Sequence, residues 1–221
     1  MRKLFAISSL FIFSTAFARI DYGYHKKPQS VSPALAAKSQ ALAPSAAAMV
    51  DGRSIDNGVL VVKPMQVSGF DATSRKKLDQ AFALIEKVVN SEEFKLRVLN
   101  FKNRKGERAF ASNQGLTNEE IYQKFMEGRE TLQPTTPGEM NYFVSMYYSR
   151  WSRVIGYTNP NTSVIYVNWK YFGGFTPAQV AANLVHEWTH KIGFDHTSAA
   201  EYDSAPYAIG YIVEELATLQ K

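Results

Sequence analysis

The stretch HEWTHKIGFDH, residues 186–196, combines the end of a predicted helix, a turn and three of the chain's four histidines. The helix is predicted to begin at Thr176-Pro177, because a capping hydroxyl followed by proline at the first helical position is a typical helix start. Apolar residues then recur at three- and four-residue spacing as far as Ile192, so one face of the helix is expected to pack against a core.

The histidines of this stretch have the spacing of metal ligands. His186 and His190 are four residues apart, so their side chains leave the same helix face and can reach one metal ion. Glu187 lies one step round the helix, close enough to hold a water but not positioned as a ligand. Gly193 comes where the helix should end, and glycine tolerates the left-handed conformation of a sharp turn, which can return His196 to the same ion. Three neutral imidazoles leave a fourth position open, which is typical of a hydrolytic zinc site.

The pattern H-E-x-x-H-x-x-G-x-x-H resembles the zinc-binding consensus of the metzincin metallopeptidases, which include astacins, serralysins, adamalysins and matrixins. The strict match covers residues 186–196. The resemblance implies Zn²⁺ held by His186, His190 and His196. It also implies that Glu187 is the general base of a zinc endopeptidase that hydrolyses a protein or peptide substrate.

One feature of metzincins is missing. They have a methionine in a tight turn beneath the metal, after the third histidine, and the last methionine of this chain is Met146. Residues 203–207 lie where the turn is expected, with Ala205 or Pro206 in place of the methionine. In astacins and serralysins a tyrosine two residues past the methionine can assist the zinc, and Tyr207 has this spacing from Ala205. Tyr207 is therefore either a catalytic hydrogen-bond donor in the transition state or a tyrosine packed in the turn.

Two alternatives stay open. Zincins of the gluzincin type take their third ligand from a glutamate on a downstream helix, and a C-terminal amphipathic helix is predicted to open at residues 210–214. Glu214 or Glu215 would then replace His196 as the ligand. The second alternative is a secreted binding domain that keeps zinc for stability only. Glu187 argues against it, because a structural site has no use for an uncoordinated carboxylate at that position.

The N-terminal part of the chain has a different character. Residues 1–18 have a basic start, a short apolar core and a small-residue cleavage site, which predicts a signal peptide cut after Ala18 and a secreted or periplasmic protein. Residues 19–50 are rich in proline, serine and alanine and are predicted to be a flexible linker or a short pro-segment. In a pro-segment, Asp21 or Asp51 is a candidate to cap the metal. The chain has no cysteine, which excludes disulfides and cysteine-based latency.

Residues 51–221 are long enough for one metallopeptidase domain with its own core, and the chain is 45% hydrophobic. The elements predicted before residue 176 are a strand over 59–67, a helix from Thr73 or Ser74 to about Asn90, a strand over 94–101, a helix from Thr117 to about Gly128, a strand over 140–149, and a hairpin of 153–158 with 163–169. This order predicts an α+β fold: a small zincin-like domain with a mixed twisted sheet, an active-site helix and a C-terminal helix.

The remaining signals concern partners. The basic run 102–108 is interpreted as a solvated loop, since no nucleic-acid motif accompanies it, so no nucleic-acid partner is predicted. No stretch after the signal peptide is long and apolar enough for a membrane span. One strand of the predicted hairpin is expected to receive the substrate backbone as an added strand. The sequence carries no signal for an oligomeric state.

Overall fold

The computed structural model of the protein describes residues 58–132, 136–159, 161–196 and 201–220. These residues contain helices and a mixed sheet, which confirms the predicted α+β class. The predicted signal peptide (1–18), the predicted linker or pro-segment (19–50) and the candidate capping residues Asp21 and Asp51 lie outside the described residues.

The helices and strands follow one another as β1 (Val61–Ser68), α1 (Ala72–Val89), α2 (Glu92–Leu99), α3 (Asn118–Glu127), β2 (Glu139–Tyr147), β3 (Gly156–Thr158), β4 (Val164–Asn168), α4 (Trp169–Phe172), α5 (Pro177–Lys191), a 3-10 helix (Glu201–Asp203) and α6 (Ala205–Thr218).

The sheet has the strand order β1-β2-β4-β3. Strands β1, β2 and β4 are parallel, whereas β3 runs antiparallel to β4, with Tyr157 opposite Tyr166. The predicted hairpin is therefore confirmed, and its first strand, β3, forms one edge of the sheet. Parallel neighbours need long crossover connections: the one between β1 and β2 contains α1, α2 and α3, and the one between β2 and β4 contains β3.

The core lies between one face of the sheet and the helices. Met140, Tyr142 and Val144 alternate along β2 and are buried, as expected for a strand with one face covered. Tyr142 contacts Phe82 of α1 at 5.2 Å between ring centroids. Trp188 of α5 is fully buried, and its removal is expected to cost about 3–5 kcal/mol, as for other large core aromatics. No helix among the described residues is long and apolar enough to cross a membrane.

The strand predicted over residues 94–101 is wrong, because this segment forms helix α2. Ser91 caps the helix, its side chain accepting from the backbone N–H of Phe94, and two glutamates occupy the first turn, where a negative charge is favourable. Phe94, Leu96 and Val98 place an apolar residue at every second position, which is the pattern expected of a strand. Only Phe94 and Val98, which are four residues apart, are buried against the core.

Helix ends agree with the sequence where a local cap is present. Thr117 and Thr176 both form complete capping boxes, and α3 ends at Gly128 with φ 67°, as predicted. Helix α1 also ends at Asn90 as predicted. Its N-cap is Asp71, not Thr73 or Ser74, and the Asp71 carboxylate accepts from the backbone N–H of Ser74 at 2.7 Å.

The start of the last helix differs more from the prediction. Helix α6 begins at Ala205 with Ser204 as its N-cap residue, so residues 203–207 are not a tight turn and Gly210 lies inside the helix. Pro206 explains the early start, because proline is well tolerated in the first turn of a helix. Tyr207 is therefore a helical residue.

Candidate metal centre

Helix α5 is held between other elements on nearly every side. Twelve of its fifteen residues are buried, since α1, α6 and β3 all pack against it. Gly210 allows α6 to come close: a Cβ at this position would lie 3.2 Å from the carbonyl oxygen of Ala182 and 3.5 Å from the Cβ of His186. The helix that presents the first two histidines is therefore rigidly placed.

The turn after α5 has the predicted geometry. Gly193 has φ 91°, in the left-handed region, and its N–H donates to the carbonyl of His190 at 3.0 Å. The N–H of Phe194 donates to the carbonyl of Thr189 at 3.1 Å, and the Phe194 side chain is buried. This reversal carries the chain back toward α5, so that His196 comes to lie beside the first two histidines.

His186, His190 and His196 form a compact cluster, here called the histidine group. Their potential ligand atoms all lie within 4.8 Å of one another, and the ring centroids are 5.0–5.3 Å apart. Ligand nitrogens of a tetrahedral site with bonds of about 2.1 Å are roughly 3.4 Å apart, so side-chain adjustment suffices to close the group on one ion. The group could hold a metal ion.

Backbone carbonyls fix the outer nitrogens of two of these rings. His190 Nδ1 lies 2.8 Å from the carbonyl oxygen of Phe194, and His186 is hydrogen-bonded to the carbonyl of Pro206. Such a bond selects the tautomer that leaves Nε2 free of hydrogen, as at metal-bound histidines. His186 Nε2 is buried and has no hydrogen-bond partner among the described residues, which fits a nitrogen that binds a metal.

The environment also favours the protonation state that a metal requires. Burial, and secondarily the neighbouring histidines, hold the pKa of His186 well below its usual range. Burial likewise lowers the pKa of His190 to about 4. These shifts favour the neutral form of both imidazoles, and neutral imidazole is the form that coordinates metals.

Glu187 lies one residue after His186 on α5, and it contacts the edge strand β3. The hydroxyl of Thr158 in β3 lies 3.2 Å from Glu187 Oε2 and 3.2 Å from the Glu187 backbone oxygen. The carboxyl is 1% exposed, and burial raises its pKa to about 8 despite the opposing contact with Thr158. Oε1 is buried without a hydrogen-bond partner among the described residues. Nothing in the sequence marks Thr158 as a partner of Glu187, because the contact joins two distant elements.

Tyr207 lies against the histidine group. Its ring centroid is 4.4 Å from that of His186 and 4.8 Å from that of His196, with steep interplanar angles of 79° and 68°. The residue is only 2% exposed. Its ring therefore supports two of the three candidate ligands from the first turn of α6.

The two glutamates considered as alternative ligands are not part of the histidine group. Glu215 forms an ion pair with Arg97 at 2.9 Å on the outside of α6. Glu214 is half-buried on the same helix, and among the described residues it does not join the set of converging ligand atoms. The structure thus brings His196, rather than either glutamate, to His186 and His190.

A second buried polar cluster, which no sequence pattern predicted, lies at the end of α5. Lys191 and Glu130 pair at 3.0 Å with side chains no more than 2% exposed, and Lys191 Nζ also donates to the Asn141 carbonyl at 2.7 Å. The Trp188 side chain and the Asn141 backbone also lie next to Glu130 and act to lower its pKa. We call these four residues the ion-pair cluster. Burial raises the pKa of Glu130, and Lys191 opposes this shift.

Models of known protein families do not match this chain, and a search of curated proteins finds no relative. The chemistry of the histidine group is therefore argued from its own residues.

Proposed function

We propose that this protein is a zinc-dependent endopeptidase of the metzincin type that hydrolyses protein or peptide substrates. The observation that carries this proposal is the convergence of three imidazoles, of which those of His186 and His190 are held neutral, beside a buried carboxyl that is not one of the ligands. A purely structural metal site would need a fourth protein ligand and no such carboxyl.

The donor set favours zinc. Three imidazoles with one open position are typical of catalytic zinc, and imidazole suits this ion better than it suits magnesium or calcium. His186, His190 and His196 would hold the ion. When bound, zinc supplies Lewis acidity, which lowers the pKa of a coordinated water to about 7 and polarises a carbonyl group.

Glu187 performs the proton transfers in this proposal. Its Oε2 is held by Thr158, which leaves Oε1 to accept the proton of the attacking water. The same oxygen then delivers that proton to the nitrogen of the leaving amine. The raised pKa suits the second step, in which the carboxyl is the acid, and a zinc cation beside it would favour the ionised form that the first step requires.

Edge strand β3 is the best candidate for substrate binding. The sequence predicted that one strand of the hairpin receives the substrate. Strand β4 is paired on both sides, whereas β3 is paired with β4 alone. An extended peptide can therefore add to the outer edge of β3, which also carries Thr158 and so lies next to Glu187.

We assign Tyr207 a packing role in place of the missing methionine. Its burial and its contacts with His186 and His196 support this role over that of a hydrogen-bond donor. Tyr207→Phe should then retain zinc and remain within a few-fold of full activity, whereas Tyr207→Ala should lose zinc affinity. A loss of about a hundredfold or more in kcat for Tyr207→Phe, with zinc retained, would instead identify the hydroxyl as a donor to the transition state.

The decisive experiment is digestion of a diverse peptide library by purified residues 19–221, loaded with zinc, beside Glu187→Gln. We expect cleavage by the unsubstituted protein and a loss of about three orders of magnitude in the variant, at equal zinc content, because general acid–base groups contribute factors of about 10²–10⁴. Equal rates in both proteins would refute the assignment.

The competing hypothesis, a binding domain stabilised by zinc, predicts a different result. Neither protein would then cleave the library, and a chelator would unfold the chain. Repeating the digestion with residues 51–221 separates this outcome from latency caused by residues 19–50, since removal of an inhibitory pro-segment would restore cleavage.

A further inference from the structure

Three exposed aromatic side chains lie together at one end of the sheet. Trp151 is 86% exposed, Tyr148 64% and Trp169 50%, and they are the only large aromatic side chains with this degree of exposure in the described part of the chain. Aromatic residues are usually buried in a domain of this size, so their shared location requires an explanation.

Hydrogen bonds hold the three residues on one surface. The loop after β2 carries Tyr148 and Trp151, and the end of β4 carries Trp169. The Asn168 side chain accepts from the Ser149 N–H at 3.2 Å and donates to the Ser149 carbonyl at 3.3 Å. Lys170 Nζ and the Tyr171 hydroxyl each donate to the Ser152 carbonyl at 3.0 Å. The loop is therefore fixed against α4.

The charges on this surface have one sign. Arg150, Arg153 and Lys170 are exposed there, and no aspartate or glutamate occurs in the sequence between Glu139 and Glu187. The guanidinium of Arg150 lies 5.2 Å from the ring centroid of Trp151, so cation and aromatic ring are adjacent. By contrast, the basic residues Arg104 and Arg108 in the loop that follows α2 are paired with acidic side chains.

We propose that these three aromatic and three basic residues, the aromatic–basic patch, bind an anionic phospholipid surface. Tryptophan and tyrosine favour the boundary between hydrocarbon and water, because an apolar ring can enter the lipid while its polar group remains hydrated. Arginine and lysine are attracted to anionic headgroups. The high exposure of all three rings suits their insertion into a lipid surface. This proposal does not depend on peptidase activity.

The tryptophans provide a direct readout. The chain has three tryptophans, of which Trp188 is fully buried, so a shift in emission on addition of vesicles reports on Trp151 and Trp169. With vesicles of phosphatidylglycerol and phosphatidylethanolamine we expect a blue shift and co-sedimentation, both decreasing as salt rises. With phosphatidylcholine alone we expect neither effect. The absence of both effects with anionic vesicles would refute the proposal.

Matched double variants test the location of the contact. Arg150→Ser with Arg153→Ser should weaken co-sedimentation by about thirtyfold, since each cation near an anionic surface contributes roughly a factor of five. Lys102→Ser with Lys105→Ser removes the same charge from the loop that follows α2 and should change binding less than about twofold. Both variants keep the native N-terminus, so any affinity of residues 1–18 for lipid cancels in the comparison.

Trp151→Ser tests the aromatic part of the patch and should also weaken binding to anionic vesicles. Equal losses in the two double variants would mean attraction by net charge alone and would contradict the proposal. A raised KM for peptides in Trp151→Ser with unchanged co-sedimentation would identify the patch as a peptide subsite and would likewise overturn it.

Discussion

Helix α5 contributes to two buried polar groups, one that pairs opposite charges and one that gathers potential metal ligands. His190 and Lys191 are adjacent in sequence, yet the first faces the histidine group and the second faces the ion-pair cluster. In the ion-pair cluster, the ammonium and the carboxylate find their partners inside the protein. In the histidine group, His186 Nε2 is buried without a hydrogen-bond partner among the described residues.

The difference separates a structural polar group from a binding site. A buried polar atom without a partner costs about 1–3 kcal/mol, and folded proteins rarely leave such atoms without a reason. The ion-pair cluster balances one buried cation with one buried anion, whereas the histidine group brings together three ligand nitrogens that could hold a metal ion. The comparison can be tested by disturbing each group in turn.

The largest expected effect on stability is in the ion-pair cluster. Lys191→Met leaves Glu130 buried without its cation and should lower the free energy of unfolding by about 3–5 kcal/mol, measured by chemical denaturation. The double variant Lys191→Met with Glu130→Leu should recover most of this loss, because no buried charge remains. A double variant as unstable as the single one would contradict the interpretation.

The loss of stability in Lys191→Met should depend on pH, and the direction of this dependence can be predicted. Burial already raises the pKa of Glu130 above its ordinary value of 4.5, and loss of Lys191 should raise it further. A group with a raised folded-state pKa contributes stability at low pH and loses it as pH rises through that pKa. The deficit of Lys191→Met should therefore be largest at neutral pH and shrink as pH falls toward 4.5.

For the histidine group, the expected effect is a change in protein stability when a metal ion is added or removed. Zinc at about a hundred times its dissociation constant should stabilise the protein by about 2.7 kcal/mol, and a chelator should remove this gain without unfolding the chain. His196→Ala should abolish the gain in a thermal-shift titration, whereas Glu214→Ala should retain it. The opposite result would restore the glutamate as the third ligand.

A smaller effect is expected at the contact between β3 and Glu187. Thr158→Val removes the hydroxyl that holds Oε2 and should lower kcat about tenfold with little change in KM or zinc content, because a hydrogen bond to a charged group contributes about 1.5–3 kcal/mol. Thr158→Ser keeps the hydroxyl and should remain near full activity. A loss in Thr158→Ser with full activity in Thr158→Val would instead show that the methyl group, rather than the hydroxyl, is what matters.

The smallest effect concerns the turn that lies between the two groups. Gly193→Ala places a Cβ at φ 91°, 3.3 Å from Thr131 Cγ2, and should cost about 1–2 kcal/mol in denaturation experiments. Because the turn carries His196, zinc affinity should fall as well. An unchanged zinc affinity would show that the position of His196 does not depend on this turn.

The sequence was sufficient to predict the structure where the interactions that determine it are local. Thr176 and Gly193 act on their immediate neighbours, so the limits of α5 and the return of the chain could be predicted from spacing alone. The same holds for the capping box at Thr117 and for the hairpin of β3 and β4. The histidine group follows from these local rules, because all three histidines lie within one helix and its turn.

The wrong predictions of secondary structure, and the contacts that were not predicted, are in places where tertiary packing determines the structure. Residues 94–101 alternate like a strand, and only burial of Phe94 and Val98 on one side shows that a helix is favoured. The start of α6 at Ala205 was missed because the resemblance predicted a turn at this position. The contacts of Thr158 with Glu187 and of Lys191 with Glu130 join distant parts of the chain, so no sequence pattern could predict them.

The parallel pairing of β1 with β2 has a consequence for the rate of folding. Val61 pairs with Glu139, so three helices must be accommodated in the intervening loop before these strands can meet. Contacts between residues so far apart in sequence slow folding, because the entropy of closing the loop is lost before the contacts form. Helix α5 packs against α1 and α3 of this loop, so the buried setting of the histidine group should form only late in folding, although its three residues are close in sequence. Refolding followed by zinc uptake should therefore lag behind the recovery of helical signal.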